Sequence, residues 1–166
     1  MTVEQQQFTQ PQPAITITNP TDREVRFERV FNAPRDVVWN AFTDPSLVAQ
    51  WWGGGTKVET MDVRVGGSWR FVAERPGQSY AFEGKYLEVD PPRRLVQTMV
   101  NGWLNGLTWT EHMDFDEIDG QRTRFTQTSV FDTTQVRDQV METAEQGATY
   151  TFARLDQVLA KLTGEK

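Results

Sequence analysis

Apolar positions along this chain first alternate, then recur at helical spacing, then alternate again, and finally return to helical spacing. Over residues 24–31, Val25, Phe27, Arg29 and Phe31 share one face while Arg26, Glu28 and Val30 share the other, which predicts a first strand with imperfect parity. Asn32-Ala33-Pro34 then opens a helix running to Phe42, with Pro34 in its first turn and Val38, Trp39 and Phe42 as its apolar stripe. Thr43-Asp44-Pro45-Ser46 breaks that helix and caps a short second one over residues 47–51. This second helix ends at Trp51-Trp52-Gly53, with Gly53 suited to a left-handed C-terminal position.

From Val58 the period becomes two. Met61, Val63 and Val65 alternate with Asp62 and Arg64, and Gly66-Gly67 reads as a hairpin turn before Trp69 and Phe71. Further strands follow over residues 80–89, 95–100, 107–118 and 123–130, separated by Asp90-Pro91-Pro92, a loop carrying Trp103, and Asp119-Gly120. Helical spacing returns from Thr133 to Leu162 through Val136, Val140, Ala144, Ala148, Thr151, Leu155 and Val158, and Gly164 marks the end. Residues 1–14 are rich in Gln and Pro without periodicity. Ile15 and Ile17 can form a short edge strand, and Asn19-Pro20-Thr21-Asp22 is turn chemistry. Residues 1–21 are therefore assigned to a flexible tail, and residues 22–164 to a single domain.

The predicted fold is α+β: a seven-stranded curved antiparallel sheet wrapped around a long C-terminal helix, with two short helices between strands one and two. Such a sheet must cover its apolar face, and the last helix is the one element long enough to do so. A space is then left between them, closed at one end by the short helices and the Trp-Trp segment.

Strand parity predicts what faces this space. Leu95, Gln97 and Met99 share one face with Trp109, Glu111, Met113 and Phe115, and with Thr123, Phe125, Gln127 and Ser129; the opposite face carries Thr98, Thr108, Thr110, His112, Arg124 and Thr126. Gln97, Glu111 and Gln127 thus fall among apolar neighbours on three successive strands. Two readings stay open: Glu111 pairs with an arginine or remains hydrated at an open end, or the three side chains form a polar patch that orients a mostly apolar ligand.

Composition narrows the function classes. The chain has 166 residues, enough for one domain with a sizeable core, and 37% of them are apolar and 11% aromatic, which argues against disorder. A net charge of −6 argues against a general nucleic-acid binder. There is no cysteine, so disulfides and thiol catalysis are excluded. With a single histidine, His112 on the outward face, a histidine-rich metal site cannot be assembled. No P-loop, nucleophile elbow or other catalytic motif is present, and no metal or cofactor is expected. No apolar run reaches the length of a membrane span and no signal peptide is visible, so a cytoplasmic protein is expected.

Several segments resemble a known family. Ala33-Pro34, Val38-Trp39, Ala41, Thr43-Asp44-Pro45 and Trp51-Trp52-Gly53 match a signature of proteins similar to the C-terminal domain of the activator of heat-shock-protein-90 ATPase, a branch of the START-like or SRPBCC superfamily. Asp62-Val63-Arg64-Val65-Gly66-Gly67, Phe82-Glu83-Gly84-Lys85-Tyr86 and Pro91-Pro92-Arg93-Arg94-Leu95-Val96 resemble further motifs of that family. The resemblance implies a helix-grip fold with a deep, mainly hydrophobic cavity under the C-terminal helix. In the last helix, Gly147-Ala148 stands where the family usually carries Gly-Trp. The loss of that indole either enlarges the cavity or lets another ring, Trp109 or Trp69, fill it.

Three functions are carried forward. The first is binding of a small hydrophobic molecule, a lipid, polyketide or aromatic compound, with Trp51, Trp52, Trp69, Phe71, Phe82, Gln97, Met99, Trp109, Glu111, Met113 and Phe152 as candidate lining. The second is a protein-interaction module with a chaperone as partner. The third is a cyclase- or dehydratase-like enzyme in which Glu111 is the acid or base and Gln97 or Gln127 orients the substrate. The protein is expected as a monomer or homodimer. Trp51-Trp52-Gly53 is read as a structural plug at the cavity's mouth, with at most one ring available to a ligand.

Overall fold

The alternating region folds as one antiparallel sheet, seen in a computed structural model that describes residues 15–53 and 55–164. The tail expected over residues 1–14 lies outside the described residues. In chain order the elements are β1 (Thr16–Thr18), β2 (Glu24–Phe31), α1 (Arg35–Thr43), α2 (Pro45–Trp51), β3 (Thr56–Met61), β4 (Ser68–Arg75), β5 (Gln78–Asp90), β6 (Arg94–Asn101), β7 (Leu107–Asp119), β8 (Arg122–Val130) and α3 (Thr134–Leu162). A single 3₁₀ turn, Gly102–Leu104, joins β6 to β7. In space the strands run β1-β2-β8-β7-β6-β5-β4-β3.

This order places β2 and β3, neighbours in sequence, near opposite edges of the sheet. The α1–α2 link therefore crosses the sheet, and it closes one end of the concave face. Thr123 of β8 donates its hydroxyl to the Ala33 carbonyl at 2.8 Å, which fixes the start of that crossing. Register shifts at Val58/Thr60, Tyr86/Glu88 and Glu117/Asp119 are bulges, and bulges increase local twist and bend the sheet.

The expected edge strand forms: Ile17 of β1 lies opposite Phe27 of β2. The sheet consequently has eight strands rather than seven, and it begins at Thr16, within the segment assigned to the tail. A second difference lies at residues 62–67, where continued alternation was expected. β3 ends at Met61, and Asp62 to Gly67 fold into a tight loop that leaves Val65 63% exposed. A Cβ on Gly67 would sit 1.9 Å from the Asp62 carbonyl oxygen, so the loop closes only because glycine stands there. Gly66 and Gly67 instead complete the neighbouring ladder through hydrogen bonds with the Tyr86 backbone. A third difference concerns the helix end: Trp52 caps α2 in right-handed conformation, and the positive φ falls on Gly55 rather than Gly53.

Other start and stop signals act as expected. Asp44 accepts from the Ser46 amide to cap α2, and Thr133 accepts from the Val136 amide to cap α3. Gly164 ends α3 with φ of 81°.

The imperfect parity of β2 has a structural cause. Arg29 points inward with Val25, Phe27 and Phe31, and it is 7% exposed. Its guanidinium forms an ion pair with Asp156 on α3 and lies 5.6 Å from the Phe31 ring and 5.7 Å from the Phe152 ring. Burial raises the Asp156 carboxyl above its ordinary value, and the Arg29 charge opposes that shift. Breaking a buried pair leaves one charge uncompensated, whereas replacing both members with apolar groups of similar volume is often nearly neutral. Because the Asp156 side chain keeps 28% of its exposure, Asp156→Ala is expected to cost about 2–3 kcal/mol, at the low end for a buried pair. The double variant Arg29→Met/Asp156→Leu is expected to recover most of that loss. Urea denaturation of the three proteins is the check, and a double variant less stable than Asp156→Ala would contradict the assignment.

Candidate functional site

The 29 residues of α3 divide into two unequal halves. Phe152, Leu155, Val158 and Leu159, all in the second half, are its buried residues. Phe152 meets Phe31 edge-on with centroids 5.6 Å apart and Phe125 at 5.9 Å. With Phe42, Phe115 and Trp39 these rings make a dense aromatic core beneath α1 and the end of α3. None of residues 134–151 is buried. The first half of α3 instead roofs a cavity of about 610 Å³ whose floor is the inner face of β2 to β8.

Small residues face the cavity from the roof. Ala144, Gly147 and Ala148 border it, and a Cβ built on Gly147 meets nothing within 4 Å. The position where the resembling family carries tryptophan is thus occupied by a methyl group. Trp109 does not swing across to replace it; it packs against Phe131 at 5.3 Å and donates its indole N–H to Glu111. The space stays open.

Ten of the eleven candidate residues border this cavity: Trp51, Trp52, Phe71, Phe82, Gln97, Met99, Trp109, Glu111, Met113 and Phe152. Trp69 is the exception. It is 1% exposed and lies opposite Gly84 in the β4–β5 ladder, where its indole donates to the Thr98 carbonyl on β6 at 3.2 Å. A Cβ on Gly84 would fall 1.9 Å from the Thr98 carbonyl oxygen, so glycine permits this close approach. Trp69 therefore packs in the core behind Trp52 and Phe71 and does not border the cavity.

The two adjacent tryptophans have different surroundings. Trp51 is 3% exposed, donates its indole N–H to the Ala41 carbonyl at 2.8 Å and packs at a tilt against Phe42 at 4.9 Å, which locks α2 to α1. Trp52 is half-buried and makes edge contacts with Trp51, Trp69, Phe71 and Phe82 at 5.1–6.2 Å. It is the ring of the pair whose position depends on side chains alone.

Sequence reasoning missed several cavity residues. Tyr86 lies on an inner-face position of β5, and Phe131 follows the last residue of β8, where alternation no longer guides assignment; Leu95 lies on the inner face of β6 as its parity predicts. Trp103 and Leu104 reach the cavity from the 3₁₀ turn, where Asn101 caps the Leu104 amide. Trp103 remains 51% exposed and packs at a tilt against Tyr80 at 4.6 Å, so it stands at the rim.

The polar patch forms inside this cavity. Gln97 and Ser129 flank Glu111 directly across the two ladders. Gln97 Nε2 donates to Glu111 Oε1 at 3.1 Å, Trp109 Nε1 donates to Oε2 at 3.0 Å, and Gln127 Nε2 donates to Oε2 at 3.4 Å. The arginine pairing considered from sequence is absent among the described residues: neutral N–H groups hold this carboxylate. Burial pushes the Glu111 carboxyl above its ordinary value, and the Trp109 and Gln97 hydrogen bonds only partly offset that push. His112 takes the outer face, 3.1 Å from an Arg94 nitrogen, away from the cavity. Among the described residues no group of His, Cys, Asp or Glu is placed to hold a metal ion, and no helix is long and apolar enough to cross a membrane.

Comparison with known proteins agrees with this architecture. The family model described as activator of Hsp90 ATPase homolog 1-like protein matches residues 32–160. A crystal structure of a Rhodobacter sphaeroides protein superposes with a TM-score of 0.80 at 22% identity, covering 90% of this chain and 99% of that one. A Mycobacterium smegmatis protein gives a TM-score of 0.77 at 23% identity, covering 88% and 97%. A solution structure from Staphylococcus epidermidis gives 0.75 at 25% identity, covering 88% and 94%. These likenesses share the sheet-and-helix fold. No curated protein sequence matches the chain.

The raised carboxyl of Glu111 sets a pH dependence. A folded-state value above the unfolded reference of 4.5 means that the folded protein holds this proton more tightly. The stabilising contribution is present below that reference and is lost as pH rises through the folded value. Glu111→Gln removes the titration, so the stability of wild type relative to this variant is expected to fall between pH 4 and pH 8. Urea midpoints of both proteins across that range are the check; a constant difference would contradict it.

Proposed function

The chain belongs to the family of activator of Hsp90 ATPase homolog 1-like proteins, and on that premise we propose that it binds a small, mainly apolar or aromatic molecule in the cavity under α3. The observation that carries this reading is the unfilled volume itself. About 610 Å³ lies between a packed aromatic core and the rim, within the range of sites that hold drug-sized molecules. Its walls are mainly apolar, with one cluster of polar groups on one side, the combination that gives affinity through burial and orientation through hydrogen bonds. Trp52, Phe71, Phe82, Met99 and Met113 supply the apolar contact; Gln97, Glu111 and Gln127 supply orientation. Trp51 and Phe152 bound the site from its core side, and Trp69 serves the fold.

A second reading is favoured by the raised carboxyl of Glu111, because a carboxyl held above its ordinary value inside a cavity suits general acid–base chemistry. In that reading Glu111 exchanges a proton with a polyketide-like substrate during cyclisation or dehydration, and Gln97 or Gln127 orients it. Product formation followed by mass spectrometry tests this; Glu111→Gln should retain binding and lose product.

Ala148→Trp tests the binding reading directly. The new indole occupies the open volume, so the affinity for a neutral apolar fluorophore such as N-phenyl-1-naphthylamine should fall about tenfold or more. The first half of α3 contributes no buried residue, so the thermal midpoint should move little. Unchanged affinity in a folded Ala148→Trp protein would refute occupancy of this cavity.

A further inference from the structure

Glu111 is the one residue of formal charge among the described residues that line the cavity; Tyr86 and Tyr150 are the other titratable side chains there. It is 6% exposed, and no lysine, arginine or histidine among the described residues pairs with it. A buried carboxylate is costly without an opposite charge, and hydrogen bonds from neutral donors offset only part of that cost. The charge is avoided either by keeping the proton on Glu111 or by bringing a cation to it.

The surrounding polar groups have a directional bias that fits a cation. An ionised carboxylate only accepts, so Gln97 and Gln127 must both present their amide N–H₂ groups to it, as observed. Their carbonyl oxygens are then turned away from Glu111, and neither is among the buried atoms left without a partner. Gln97 is 7% exposed, so the amide that donates to Glu111 belongs to a side chain more than nine-tenths buried. The Ser129 hydroxyl stands beside Glu111 in the β7–β8 ladder. Two amide oxygens, a hydroxyl and a carboxylate with spare lone pairs form an acceptor-rich pocket wall. A neutral apolar guest leaves those acceptors empty and strips water from a bare carboxylate. A guest bearing several N–H donors and a positive charge satisfies both needs, and the Trp109–Phe131 ring pair borders the same space and is suited to a cation.

We propose that the molecule held under α3 is an organic cation, a protonated amine on an apolar or aromatic body, whose ammonium group is received by Glu111, Gln97 and Gln127. This rests on the cavity being a binding site, as proposed above, and adds the chemical class of the guest.

Three fluorescent probes with one aromatic body separate the possibilities: 1-pyrenemethylamine, 1-pyrenemethanol and 1-pyreneacetate, titrated near neutral pH into the full chain. The amine should bind about tenfold or more tightly than the alcohol, and the carboxylate most weakly, since a charge-assisted contact in a low-dielectric site adds to a shared apolar contribution. That preference should persist in high salt, which screens attraction of amines to a surface of net charge −6 but screens a buried pair much less. Glu111→Gln should bring amine and alcohol within about threefold of each other. Equal binding of amine and alcohol by wild type would overturn the cation assignment while leaving the apolar cavity reading intact. An amine preference that disappears in high salt, or survives Glu111→Gln, would also overturn it, by placing the attraction elsewhere. Should none of the three probes bind, both readings fall. If Glu111→Gln does not fold, the wild-type comparison at low and high salt still decides.

Discussion

A straight helix can follow a bent sheet for only part of its length, and the rest of this structure depends on that mismatch. At about 1.5 Å per residue, the 29 residues of α3 extend for about 43 Å. The sheet beneath bends through its bulges, so full contact along the whole helix is geometrically excluded. Contact is concentrated where the rings of Phe31, Phe42, Phe115, Phe125 and Phe152 interlock and where Arg29 meets Asp156. Farther along, the two layers part. The start of α3 is held instead by its Thr133 cap and by Arg137, which donates to the Thr21 carbonyl. The helix is anchored at both ends and supported over one half.

The interior divides accordingly. On the α1 side, side chains fill the volume edge to face, and inward polar groups are spent on architecture: Thr123 ties down the helix entry and Trp51 binds α2 to α1. On the other side, polar groups of the same sheet face meet one another around empty space. Glu111 takes its hydrogen bonds from Gln97, Gln127 and Trp109, all side chains of that same face. Neighbouring positions on one sheet face thus have opposite duties, decided by whether α3 descends far enough to touch them.

Much of this was legible in the residues. Period-two alternation located the strands of the sheet floor, and the inner-face parity of β6, β7 and β8 brought Gln97, Glu111 and Gln127 together correctly. The short edge strand was visible in Ile15 and Ile17. What escaped has definite physical reasons. Val63 and Val65 alternate like a strand, but backbone closure at Gly67 turns them into a loop. Trp69 shares the parity of Phe71 yet is covered by the Trp52 and Phe71 rings and tied to the Thr98 carbonyl, and parity cannot report which inward ring another one covers. The spacing of Val140, Ala144 and Ala148 continues that of Leu155 and Val158 without interruption, so periodicity alone gives one uniform apolar stripe. Only the curvature of the opposing layer separates the part that packs from the part that spans a void.

The division of α3 also bears on how such a chain can change over generations. Residues that secure the fold and residues that set the cavity's size lie on the same helix but scarcely overlap. Substitutions at 144 or 147 alter the open volume at positions outside the aromatic core and its ion pair. A lineage can therefore retune the size of this space, methyl group by methyl group, without first accumulating surplus stability to tolerate the change. A common scaffold with divergent cavities is the outcome this geometry favours.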